Sequence, residues 1–120
     1  MPETSSGVDS PLDLIHLARQ CLGDHELEAE LLRLFHGQAR AFTAELSAFR
    51  RLPFEAKAKI AHTLRGSALA VGAGRVAGAA GLIEELARAP GDQGLAEAGA
   101  VDALASAVAE ALAEIERLQG

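Results

Sequence analysis

Tryptophan and tyrosine are missing from this 120-residue chain, and four phenylalanines are its only aromatic residues. Any core must therefore be filled by aliphatic side chains, chiefly Leu, Ala, Val and Ile. Runs of Val, Ile, Thr and aromatics alternating with polar residues are also missing, which removes the usual sign of β-strands. The lone Cys21 excludes an intramolecular disulfide framework and is compatible with a reducing compartment. No apolar run is long enough to span a bilayer, and the polar opening has no signal-peptide core. Positive charge is scarce: eleven Lys and Arg stand against seventeen Asp and Glu, a formal charge of −6. Binding to nucleic acid or to an anionic membrane, which needs clustered Lys and Arg, is not expected. A cytoplasmic location is.

What the chain does have is 49% hydrophobic residues and abundant alanine, the best helix former. The first ten residues, with Pro2, Ser5, Ser6 and Gly7, read as a loose tail. Ser10-Pro11 is a cap followed by proline at the first helical position, opening a short helix over 11–22 that Gly23 ends. Asp24 can cap a long second helix over 24–50, in which Leu27, Leu31, Leu34, Phe35, Gln38, Phe42, Leu46 and Phe49 recur at three- and four-residue steps. Leu52-Pro53 breaks that pattern. A third helix is expected over 53–72 and a fourth over 74–89, with Val76, Ala79, Ala80, Ile83 and Leu86 on one side. Pro90-Gly91-Asp92 reads as a turn before a last helix over 92–118. Five amphipathic helices with short loops predict an all-α domain over 11–120. Its expected form is an up-down-up-down antiparallel four-helix bundle with a short additional N-terminal helix.

The third helix carries the candidate chemistry. Projected at about 100° per residue, Ile60, Ala61, Leu64, Ala68 and Val71 share a face that should be the core. His62 falls nearly opposite, with Lys59 three residues before it and Arg65 three after. An imidazole would thus project into solvent from a rigid helix, between two cations. Gly66 lies on the same side, and glycine in a helix interior costs about 1 kcal/mol relative to alanine. Close approach of another surface would account for it, whereas helix packing would put Gly66 toward the core. Leu69, one turn further, is an apolar residue on the exposed side, where a partner can cover it.

The stretch His62-Thr63-Leu64-Arg65-Gly66-Ser67-Ala68, closing with Gly72, resembles the signature of histidine-phosphotransfer (HPt) domains: a histidine, any residue, Leu, Lys, Gly, Ser and a later Gly. Gly23-Asp24 with Leu27, Leu31, Leu32 and Phe35 is similar to the family's second helix, and residues 82–88 to its fourth. Arg65 stands where the family usually has Lys. It keeps the charge but exchanges a point charge for a planar fork. Ala68 stands where a second Ser is common.

The resemblance implies a phosphorelay protein that accepts a phosphoryl group on His62 from a receiver-domain aspartate and passes it to another. An ordinary imidazole titrates near pH ~6.5, so at neutral pH it offers a nitrogen lone pair, and Nε2 is the more projecting nitrogen. The expected partners are response-regulator receiver domains and a hybrid sensor histidine kinase. The partner receiver is expected to supply the aspartate and Mg2+, leaving the chain with no cofactor, metal site or nucleotide site of its own. Lys59 and Arg65 are expected to surround the phosphoryl group. Glu84, by its offset from the motif, is a candidate to orient the imidazole, and Arg88 one turn on joins the same charged rim; Glu84 and Glu85 also read as plain surface acids. Gly66, Ser67 and Leu69 are the expected docking residues, and the His36-Gly37-Gln38 stretch is a further candidate for that surface. His16, His25 and His36 with Cys21 raise a metal reading, but Gly23-Asp24 separates Cys21 from His25 and the spacings are not those of a zinc site. A monomer is expected, and the opening Met1 suggests a free protein. The alternative is a non-catalytic helical module that binds receiver or kinase domains without phosphotransfer. A histidine-kinase fragment would need an ATP-binding domain for which the chain has neither room nor motif.

Overall fold

The computed structural model describes residues 10–89, 91 and 94–119. Residues 1–9 of the expected tail, and Pro90 and Asp92 of the expected turn, lie outside the described residues. Among those described there is no strand. Six helices follow in order: α1 (Leu14–Gln20), α2 (His25–Ala44), α3 (Leu46–Arg50), α4 (Phe54–Val71), α5 (Gly74–Arg88) and α6 (Gly94–Gln119).

Four of them form a ring: α4 packs on α5, α5 on α6, α6 on α2, and α2 on α4. Their facing stripes meet in one aliphatic core that includes Leu64, Ile83, Leu104 and Ile115, each at most 2% exposed. Each such side chain contributes roughly 1.5–3 kcal/mol by leaving water. Alanine lets the helices approach closely: Ala39, Ala61, Ala68, Ala80 and Ala111 are fully buried.

The first helix is shorter than expected. Ser10 does not cap it, because its hydroxyl donates to the Leu12 carbonyl at 2.8 Å. Asp13 takes over, its carboxylate accepting from the His16 backbone N–H at 3.1 Å. The helix expected over 24–50 is interrupted at Glu45. Just before the break, Thr43 Oγ1 donates back to the Ala39 carbonyl at 3.1 Å. Such back-bonding bends helices. Phe42 and Phe49 span the break in an edge-to-face pair, with centroids 5.1 Å apart.

The buried side of α2 is Leu32, Phe35, Ala39 and Phe42, while Leu27 and Leu34 are 42% and 60% exposed. Counting Leu27 and Leu34 toward the stripe swings it too far round the helix, because the small Ala39 marks its centre. On α4 the core positions are Ala61, Leu64, Ala68 and Val71 as expected. Ile60 is not among them: it is 40% exposed and walls a groove between α4 and the α2–α3 bend. The fifth buried position of α4 is Lys57, whose ammonium donates to Glu97 of α6 at 2.8 Å. The pair satisfies a charge that could not otherwise be buried.

The corner between α4 and α5 fixes the geometry of everything that follows. Gly72 ends α4 at φ +79°, the left-handed region, and the Ala73 N–H closes back on the Ala68 carbonyl at 2.8 Å. The Gly72 carbonyl accepts from the Asp13 N–H at 2.8 Å, which ties the start of α1 to this corner. A Cβ at Gly72 would lie 2.6 Å from the Asp13 carbonyl oxygen. Gly72→Ala is therefore expected to cost more than ~1 kcal/mol, from backbone strain and this clash together. Denaturant unfolding would measure it, and a variant as stable as the parent would contradict the assignment.

Candidate functional site

The short Gly72-Ala73 link holds α4 and α5 side by side, so residues on their outward edges meet. His62 of α4 keeps 69% of its side chain exposed, whereas Glu84 of α5 keeps only 6%. The two join by a hydrogen bond of 2.8 Å between His62 Nδ1 and Glu84 Oε2. An ionised carboxylate only accepts, so Nδ1 carries the proton and donates. That assigns the lone pair of the neutral ring to Nε2, for which no described residue supplies a hydrogen bond.

Two arginines complete the group. Arg65 of α4 places Nη1 3.5 Å from Glu84 Oε1, and Arg88 of α5 places Nη2 3.7 Å from Oε2. Both guanidinium groups are substantially solvated, with side chains 46% and 77% exposed. The Arg65 contact is an ion pair without hydrogen-bond geometry, since Glu84 Oε1 is buried with no hydrogen-bond partner among the described residues. Glycines on α5 make the room: a Cβ at Gly81 would lie 3.5 Å from Arg65 Cδ. The result is a concave pocket of about 680 Å3 whose lining includes His62, Arg65, Gly78, Gly81, Glu84 and Arg88.

Of the expected site residues, the structure thus brings His62, Arg65, Glu84 and Arg88 together. It does not bring Lys59 to them. Lys59 is exposed and lines the neighbouring groove of about 690 Å3, with Phe42, Phe49, Ile60 and Thr63. Three residues along a helix place it near His62 in projection, but the pocket opens toward α5 and Lys59 lies on the α2 side. The reading of Glu84 as a plain surface acid is also corrected, since it is buried and bonded to the histidine.

Gly66 is exposed, and a Cβ there would meet nothing within 4 Å. Leu69 is 50% exposed and Ser67 half-buried. Sequence reasoning missed a link at this end of α4: His16 Nε2 donates to the Leu69 carbonyl at 2.8 Å, pinning α1 to the turn that carries Leu69. It also missed Gly78 and Gly81, whose four- and seven-residue steps from Gly74 mark one open side of α5.

The other histidines are spread over the molecule. His25 Nδ1 lies 3.5 Å from Glu28, and His36 Nε2 lies 3.0 Å from Glu116 of α6. Cys21 is buried in the core, where desolvation, then Glu28 and Asp24, push its thiol up from the usual range. Among the described residues no cluster of three or more His, Cys, Asp or Glu is arranged to hold a metal ion. Nor is any described helix long and apolar enough to cross a membrane.

A helical bundle that presents an exposed imidazole, backed by a carboxylate and flanked by arginines, has the form of a histidine phosphocarrier. The family model for the Hpt domain matches residues 30–120, and the chain belongs to that family. Membership places it in histidine phosphotransfer within phosphorelay signalling, where such domains interact with receiver domains and kinases. No curated protein and no solved structure matches the chain.

Proposed function

We propose that this chain is a phosphocarrier whose His62 takes a phosphoryl group on Nε2 from a receiver-domain aspartate and gives it up to another. The observation that carries this reading is the His62–Glu84 bond, which leaves Nε2 as the free nucleophile on an exposed ring.

Phosphoryl transfer needs an in-line nucleophile and positive charge around the phosphoryl oxygens. As the Nε2–P bond forms, the aspartyl O–P bond breaks and the aspartate leaves as a carboxylate. The ring becomes cationic, and Glu84 holds the Nδ1 proton and balances the new charge. When a second aspartate attacks phosphorus, the Nε2–P bond breaks and histidine departs as a neutral imidazole with the same proton in place. The receiver supplies the aspartate and Mg2+; the carrier needs no metal or nucleotide of its own. Arg65 and Arg88 supply the positive charge on this side. Docking rests on Gly66, Ser67 and Leu69, and the carrier acts as a cytoplasmic monomer between a hybrid sensor histidine kinase and a response regulator.

Incubation with a panel of phosphorylated receiver domains tests the reading. Movement of the label to this chain, and from it to a second receiver, is the expected result. Binding to receivers with no label gained across the panel would favour a non-catalytic interaction module instead. The two cations are expected to behave differently. Arg65→Ala should slow transfer roughly tenfold, the usual scale of one charge-assisted contact. Lys59→Ala should change it little, because Lys59 lies outside the pocket. Stopped-flow transfer rates would compare them, and a larger effect from Lys59 would contradict this placement.

A further inference from the structure

Glu84 does more than hold the imidazole: it also holds both arginines that the phosphoryl group would need. Three cationic or proton-bearing groups converge on one carboxylate, which is 6% exposed. Only the histidine contact is a hydrogen bond, at 2.8 Å. The arginine contacts, at 3.5 and 3.7 Å, are held by charge alone, and Glu84 Oε1 has no hydrogen-bond partner among the described residues. Guanidinium groups form short bidentate bonds where the geometry allows. Here neither does, and both stay solvated, with side chains 46% and 77% exposed. The open face at Gly78 and Gly81 leaves Arg65 space beside the ring.

A phosphoryl group on Nε2 would carry close to two negative charges and three strong acceptor oxygens. It would compete with Glu84 for Arg65 and Arg88. We propose that Glu84 is a positioning residue that sets the energy of the phosphorylated state by this competition, with the arginines exchanging from the carboxylate to the phosphoryl group on phosphorylation and returning on its release. Each arginine gained by the phosphoryl group is lost by a buried carboxylate, so the carrier state is stabilised less than two arginines alone would stabilise it. A relay intermediate needs that property: a phosphohistidine bound too favourably would not pass its group on. The inference rests on the phosphocarrier reading for its purpose, but the exchange itself concerns only this chain.

The test therefore uses two phosphoryl donors. Phosphoramidate, a small P–N donor that gives its phosphoryl group to a histidine nitrogen and releases ammonia, requires no partner protein. Proton–nitrogen NMR of the arginine side chains follows the full chain before and after its use. Arg65 and Arg88 signals should both move on phosphorylation of His62 and return as the label is lost. Signals that stay put would overturn the exchange without touching the carrier reading.

The second readout is the equilibrium distribution of phosphoryl groups between this chain and a receiver domain. Glu84→Gln keeps an acceptor for Nδ1–H but removes the competing charge. It frees the arginines for the phosphoryl group but also removes the charge that balances the cationic ring, so in the parent the two effects oppose each other. In a background carrying Arg65→Ala and Arg88→Ala only the ring effect remains, so Glu84→Gln should lower the phosphohistidine share there by roughly three- to tenfold more than in the parent, the size expected of one or two partly exposed ion pairs. An equal shift in both backgrounds would overturn the competition and leave Glu84 acting through the ring alone. Phosphoramidate labelling with no receiver able to take the label would instead count against the carrier reading. Failure of both donors to label His62 would overturn both.

Discussion

His62→Gln is expected to abolish phosphoryl acceptance while leaving the bundle folded. Glutamine has no nitrogen lone pair able to attack phosphorus, so the loss should be complete rather than graded. The fold should survive, because the histidine side chain is 69% exposed and takes no part in the core. What is lost structurally is one hydrogen bond to Glu84, worth about 1.5–3 kcal/mol when a charged group is involved. The glutamine amide can restore part of it, since its N–H2 donates. Circular dichroism alongside a transfer assay separates the two effects. Residual labelling of the variant would mean that another residue accepts the phosphoryl group.

Gly66→Arg should have the next largest effect, and by a different route. Gly66 lies one turn beyond His62 on the exposed side of α4, with open space where a Cβ would stand. Replacing glycine within a helix by arginine removes a penalty of up to about 1 kcal/mol. The variant should therefore be as stable as the parent or slightly more so. Transfer should nevertheless fall by ~100-fold or more, because displacing the reacting atoms by about an ångström already costs that much. A variant that is stable and still transfers at the parental rate would remove Gly66 from the docking surface. A loss of both fold and transfer would contradict the open surroundings of its Cα.

The parts of this protein that were legible in its sequence are those fixed by local rules. Pro53 and Gly72 bound α4 because one disfavours helix before it and the other accepts a left-handed φ. His62 points outward because Ala61, Leu64, Ala68 and Val71 point inward. The misreadings arose where a neighbouring helix decides the outcome. Ile60 sits at the edge of the apolar face of α4, where it faces the groove beside the α2–α3 bend and stays 40% exposed. The burial of Lys57 has no local sign either: it depends on Glu97, forty residues away, whose carboxylate accepts from its ammonium.

Glu84 lies between these cases. Its offset from the motif pointed to the imidazole, but its burial went unread. The signal was present: Ala77, Ala80 and Glu84 follow each other at three- and four-residue steps on the inward side of α5, all buried. An acid at the end of such a series is better read as a partner for something than as a solvated side chain. Lys59 and Arg88 could not be ranked from sequence at all, because spacing along one helix does not say on which side the pocket opens.

The most direct measurement is the position of the phosphoryl group itself. After incubation of the full chain with a phosphorylated receiver domain, mass spectrometry locates the modified residue and phosphorus NMR distinguishes the two ring nitrogens. A single phosphoryl group on Nε2 of His62 is the predicted result. A phosphoryl group on Nδ1, or on any other residue, would contradict the arrangement in which Glu84 holds one nitrogen and frees the other.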